Sequence, residues 1–281
     1  MVLATTDDAA TNELLERFID GVRPLVPLVS VWVHGSIAAG TDYRPGRSDL
    51  DLIAVVERPC TDAEEKELAS LHEGLERASP IAAVAEKLHC SYVALQELDE
   101  PERDHLTWAM RELFRRPVSP VTRVELHRFG RVLYGRPVAG LLPEVTDGQL
   151  KEYIVRNTRE YVLPVLDKED LFRADEWVDY GMLALARALV TLRDGTLITK
   201  AEAFGVLARL GAPAEVVADI RKRRYGGGAG PGPGSEAEPA ATALSSSPPS
   251  SSPEWLDRRA QLTLAFLRPQ AQWIVDAYDE G

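Results

Sequence analysis

Cysteine is almost missing from this chain. Cys60 and Cys90 are the only two in 281 residues, too few for a disulfide framework or a tetrahedral zinc cage. Lysine is scarce too, with six against 26 arginines, so a lysine inside a motif stands out. No apolar run approaches the roughly 20 residues that cross a bilayer. The opening "MVLATTDDAATNELLERF" has no basic stretch ahead of an apolar one, so no secretory signal is expected and the expected location is cytoplasmic. Positive charge is in deficit, 32 bases against 44 acids for a net charge of −12. That balance argues against a nucleic-acid partner, which calls for a basic face, and it suits a cationic small molecule. What remains is the profile of a water-soluble protein, 45% hydrophobic and 27% charged.

The chain changes character along its length. Residues 12–29 predict a helix, with Leu14, Leu15, Phe18, Ile19 and Val22 on one face until Pro24. "SVWVHGS" (30–36) predicts a strand running into a Gly-Ser turn and a brief helix; residues 49–57 predict a second strand. Residues 61–78 start with a capping box, Thr61 with Glu64, and continue as an amphipathic helix. "KLHCSYVALQEL" (87–98) has the β-branched and aromatic content of a third strand. From about residue 121 the apolar spacing is helical throughout, in "VTRVELHRFGRVLYG", in 147–167, in 176–195, near 200–210 and again in 254–278. Residues 226–253, rich in Gly, Pro and Ser and almost without large apolar side chains, predict a disordered insertion. The predicted division is a first domain over 1–117 and a helical domain over 118–281.

The stretch that carries chemistry is "HGSIAAGTDYRPGRSDLDLIAVV" (34–56). Asp49 and Asp51 stand two apart on a predicted strand, so both carboxylates leave the same face, about 6–7 Å apart. Acids in an otherwise apolar strand are costly unless their charge is compensated, and an oxygen-only pair suits Mg²⁺. Gly35 permits close backbone approach to a ligand, the backbone N–H groups of the turn attract phosphate oxygens, and the Ser36 hydroxyl can donate another hydrogen bond. Ser48 can donate to phosphate or orient the metal ligand. His34 can reach a phosphate or serve only to close the strand end. A phosphate cradle joined by a short loop to metal-binding acids is the apparatus of nucleotidyl transfer from a nucleoside triphosphate. Paired surface acids on an edge strand are the bland alternative.

"HGSIAAG…RSDLDLIAV" resembles the Gly-Ser and Asp-x-Asp motif of the polymerase-beta-like nucleotidyltransferase superfamily. "LALARALVTLRDGTLITKAEA" (183–203) resembles the C-terminal signature of the aminoglycoside adenylyltransferases that modify streptomycin and spectinomycin, carried here by Arg187, Thr191, Leu192, Gly195 and Lys200. The resemblance implies an α+β chain: an N-terminal nucleotidyltransferase domain, a small mixed sheet with flanking helices, followed by an α-helical bundle. It implies ATP as co-substrate, Mg²⁺ on Asp49 and Asp51, and triphosphate contacts from Gly35, Ser36, Ser48, Arg187 and Lys200. An arginine within an apolar helix needs an anionic partner in any case; an internal acid is the alternative for Arg187, and plain solvation for Lys200.

The pattern breaks at one place. Where the family carries a glutamate as base toward the acceptor hydroxyl, this chain has His89. Histidine is a competent base near neutrality; a different acceptor, lost catalysis or a strand histidine with no part in the site are the alternatives. Glu86 precedes it by three residues, on the opposite face of an ideal strand. For a cationic acceptor, "ADEWVDYG" (174–181) offers Asp179 as the expected substrate-binding acid, with Trp177 as a stacking surface; Trp108 lines either the pocket or the core. The expected activity is Mg²⁺-dependent transfer of AMP from ATP to a hydroxyl of a small molecule, an aminoglycoside or aminocyclitol antibiotic being the candidate class and antibiotic resistance the implied role. The alternatives are the same fold acting on another acceptor, including a protein side chain, and a catalytically silent nucleotide-binding regulator.

Overall fold

The computed structural model describes residues 6–40, 42–226 and 252–278. The predicted disordered insertion therefore lies, except for its ends, outside the described residues. Contacts divide the chain into two units, one up to Leu150 and one from Lys151.

The first unit is built on helix α1 (Ala9–Val22), strand β1 (Leu28–His34), the single-turn helix α2 (Gly35–Ala39), strand β2 (Leu50–Val56), helix α3 (Asp62–Glu76), the short helix α4 (Ala82–Ala85) and strand β3 (Leu88–Ala94). Local chemistry sets the helix starts. The Asp8 carboxylate caps α1 by accepting from Thr11 N at 2.7 Å, and the expected Thr61–Glu64 capping box opens α3. Such caps satisfy donors that a helix start would otherwise leave unpaired. The apolar face of α1 is the expected one, with Leu14, Leu15, Phe18, Ile19 and Val22 all buried.

Six strands form one mixed sheet in the order β5-β4-β3-β2-β1-β6, adding β4 (Asp104–Ala109), β5 (Glu112–Pro117) and β6 (Arg131–Gly135) to the three expected strands. β2 and β3 are the parallel pair; the other pairings are antiparallel. The helical reading of 121–135 is corrected here. Helix α5 (Pro120–Phe129) ends at Gly130, and 131–135 pair with β1 as the edge strand β6. The apolar spacing in that stretch fits a helix, but the free edge of β1 offers a ladder of backbone partners that overrides local preference.

Alternation along the strands divides the sheet into two apolar faces. Val31, Val33, Leu50, Leu52 and Ala54 share one cluster with the apolar faces of α1 and α3. Trp32, Ile53, Val55 and Val93 point the other way and pack with Leu126 of α5. His72 of α3 is buried against Trp108, the rings stacked at 4.6 Å, and its Nε2 lies 2.8 Å from the Tyr92 hydroxyl. Trp108 is therefore a core residue.

The second unit is helical. It comprises α6 (Asp147–Asn157) from Lys151 onward, a π-turn at 158–162, α7 (Leu163–Leu166), a 3₁₀ turn at 169–173, α8 (Asp175–Asp194), α9 (Lys200–Arg209), α10 (Ala214–Tyr225) and α11 (Pro253–Tyr278). The widened turn precedes Pro164, whose ring cannot fit the regular ladder. α10, ending in the basic "RKRRY", has no counterpart in the sequence expectation. Among the described residues no helix is long and apolar enough to cross a membrane.

Candidate active site

The site forms where β1 ends and β2 and β3 begin. The registers place His34 opposite Asp51 and Asp51 opposite His89. Paired residues share a face, so the three side chains line up across adjacent strands on the face that α5 covers. Leu50 N donates to Lys87 O at 2.8 Å, so sheet pairing holds the chain up to Asp49. Asp49 and Asp51 are both half-buried. Asp51 Oδ1 lies 3.5 Å from His89 Nδ1, with 28% and 20% of the two side chains exposed. Glu86, the acid nearest His89 in sequence, caps the end of α4 instead of joining the strand.

The Gly-Ser turn wraps this acid closely. Gly35 has φ +69°, and a Cβ placed there would stand 2.7 Å from Asp51 Oδ2. Only glycine fits both the left-handed backbone and that approach. α2 follows for one turn, closed by Gly40 N donating to Ser36 O at 3.2 Å. From β6, Arg131 Nη2 donates to Ala38 O at 3.0 Å and anchors the end of that turn.

The loop from 42 to 49 is folded on Ser48. Its hydroxyl accepts from Arg44 N at 3.0 Å and donates to Asp42 O at 3.3 Å, while Ser48 N donates to Arg44 O at 2.8 Å. Ser48 thus shapes the approach to Asp49. The residue that sequence reasoning missed is Glu125 of α5, buried, with Oε2 3.2 Å from His34 Nδ1. It is 91 positions from His34, and its only sequence signal is an acid within the apolar run of α5.

Among the described residues, no group of three or more His, Cys, Asp or Glu side chains is placed to hold a metal ion. The donor set is two carboxylates beside a glycine-lined cradle. It fits a hard cation that takes its remaining ligands from polyphosphate oxygens and water, the usual habit of Mg²⁺.

In the second unit, Arg187 is half-buried on α8 and its Nε donates to Ile198 O at 2.8 Å. Thr191 Oγ1 donates within reach of Arg187 O and Thr196 O, at 3.0 and 3.1 Å. Gly195 ends α8 with φ +66°, and Thr199 with Glu202 forms the capping box of α9, so Lys200 is its first residue. The recurrent Arg-Thr-Gly-Lys pattern is thus one helix-turn-helix corner. Asp179 is paired with Arg223, which also meets Asp219, while Arg259 contacts Asp175 at 2.5 Å and Asp219 at 3.0 Å. Burial raises the Asp179 pKa, with Arg223 opposing the shift. Its charge is already compensated within its own unit. Trp177 packs edge-on to Tyr180, which packs edge-on to Tyr161.

Residues 15–103 match the model of the nucleotidyltransferase domain family. Nothing among the curated protein sequences matches the chain. The fold is similar to that of a spectinomycin adenyltransferase from Enterococcus faecialis, solved with ATP and spectinomycin, with TM-score 0.65 and 18% identity over 92% of this chain and 98% of that one. The strand, Gly-Ser turn, loop and Asp-x-Asp strand described above fall inside the segment that matches the nucleotidyltransferase domain family, and the fold of the chain is similar to that of the spectinomycin adenyltransferase.

Proposed function

We propose that the protein transfers AMP from ATP to a hydroxyl of a small cationic acceptor of the aminoglycoside or aminocyclitol class. The observation that carries this reading is the convergence at one sheet end of Asp51, the Gly35 turn pressed against it, and His89 beside it. In the reaction the acceptor oxygen attacks the α-phosphorus of ATP, the α–β anhydride bond breaks, and pyrophosphate leaves. Asp49 and Asp51 would hold Mg²⁺, whose contribution when bound is neutralisation of the polyphosphate charge. The Gly35-Ser36 turn offers backbone and hydroxyl donors to the phosphates. His89 takes the acceptor's hydroxyl proton, as a base within reach of a carboxylate that orients it. Arg187 and Lys200 are assigned to the triphosphate on the strength of the motif they share with the adenylyltransferases. Asp179 is assigned to the acceptor's ammonium groups, which would compete with Arg223 for its carboxylate.

The test is pyrophosphate release by the purified protein with ATP and Mg²⁺, against a panel of streptomycin, spectinomycin and other aminoglycosides. Release that depends on one compound and vanishes in Asp49→Asn supports the reading. ATP binding with no release on any compound would turn it toward another acceptor or a silent nucleotide-binding protein.

A further inference from the structure

Glu125 sits in the buried face of α5, between Val124 and Leu126. A carboxylate in that setting costs stability unless it is paired. One partner is His34, and both side chains of that pair are only 11% exposed. His34 is the last residue of β1, directly ahead of the Gly35-Ser36 turn and opposite Asp51. Because β2 lies between β1 and β3, His34 and His89 flank Asp51 from opposite sides, their backbones about 10 Å apart at ordinary strand spacing. The two imidazoles therefore face different parts of a bound substrate pair. The β3 side carries the base toward the acceptor; the β1 side carries the phosphate turn.

We infer that Glu125 is a positioning residue for His34. The carboxylate accepts from Nδ1–H and fixes the ring, and Nε2, the ring's other polar group, donates to a phosphate oxygen of the bound nucleotide beside the Gly35-Ser36 turn. The inference rests on the ATP reading above and deepens it: the pair recognises the polyphosphate of the nucleotide, and the base and the acceptor play no part in it. Neither residue takes or gives a proton in the transfer step.

Titration calorimetry with ATP and Mg²⁺, and separately with adenosine, tests it. His34→Phe and Glu125→Leu should each weaken ATP binding about tenfold, the scale of one hydrogen bond to a charged group. The double variant should lose no more than either single one. Adenosine affinity should stay unchanged throughout, and Glu125→Gln, whose amide oxygen still accepts from Nδ1–H, should keep ATP affinity within about threefold. Unchanged ATP affinity in His34→Phe, additive losses, or an equal loss for adenosine would each overturn the inference. Should Glu125→Leu fail to fold, His34→Phe and Glu125→Gln decide between these outcomes. If the parent protein binds no ATP, both this inference and the proposed function fall. If it binds ATP but transfers to no acceptor, only the proposed function falls, and the variants' ATP affinities still decide the role of the pair.

Discussion

Asp51 on β2 and His89 on β3 are register partners in the parallel pair of the sheet, their Oδ1 and Nδ1 3.5 Å apart. The acid proposed to bind metal and the histidine proposed as base are thus set side by side by backbone pairing alone, with no loop needed to aim either one.

Removing the Asp51 charge while keeping its shape separates chemistry from folding. Asp51→Asn should lower transfer on the order of 10³-fold, the scale at which a preorganised electrostatic contact is removed. Its unfolding midpoint should remain close to that of the parent, because the side chain is partly exposed. Loss of cooperative unfolding in the variant would make the acid structural. Steady-state rates and thermal melts of both proteins supply the comparison.

Gly35→Ala meets two obstacles at once. The φ of +69° disfavours a side chain, and the new Cβ would stand 2.7 Å from Asp51 Oδ2. We expect about 1–2 kcal/mol of lost stability from the backbone strain, together with lost transfer as the carboxylate is pushed aside. Denaturant unfolding measures the first and pyrophosphate release the second; a fully active variant would contradict the close approach.

The buried imidazole of His72 gives the fold a pH dependence. Burial lowers its pKa to about 3, so below the ordinary value near 6.5 the unfolded chain takes up a proton that the folded one refuses. Its contribution to stability is complete above pH 6.5 and is lost as pH falls toward 3, with a slope of up to about 1.4 kcal/mol per pH unit. His105, whose pKa is lowered to about 4 chiefly by burial, adds to the same trend. His72→Phe should lose less stability than the parent between pH 7 and pH 5, as measured by urea unfolding at both.

Arg259 in α11 is fully buried and bonded to Asp175 and Asp219. Arg259→Ala leaves buried carboxylate charge less compensated and should cost about 3–5 kcal/mol. Arg259→Met, which restores apolar volume, should cost less than Arg259→Ala. Equal losses in chemical denaturation would mean that the uncompensated charge, and not packing volume, sets the penalty.

The sequence made legible whatever a few neighbouring residues decide. The Thr61 cap, the buried face of α1 and the order strand, Gly-Ser, loop, Asp-x-Asp are local patterns, and each is found where the spacing puts it. Pairing between distant segments was harder to see. β6 carries apolar residues at helical spacing and becomes a strand because β1 has an open edge. The β4–β5 hairpin turns through Met110 and Arg111, both with positive φ, without the glycine or asparagine that would have signalled it. α10 has too few apolar residues to show a period. Within the site, Asp49, Asp51, Gly35 and His89 were readable from motif positions, whereas Glu125 becomes visible only when α5 folds over the sheet and meets His34.

The parallel pairing of β2 with β3 also makes the site modular. The two acids and the Gly-Ser turn come from one continuous stretch, residues 35–51, while His89, the proposed base toward the acceptor, arrives on a separate strand after the α3–α4 excursion. Position 89 stands outside that stretch, on a neighbouring strand that pairs with Asp51 through the parallel register. In the proposed reaction such a scaffold would let the acceptor side change while the nucleotide side stays as it is.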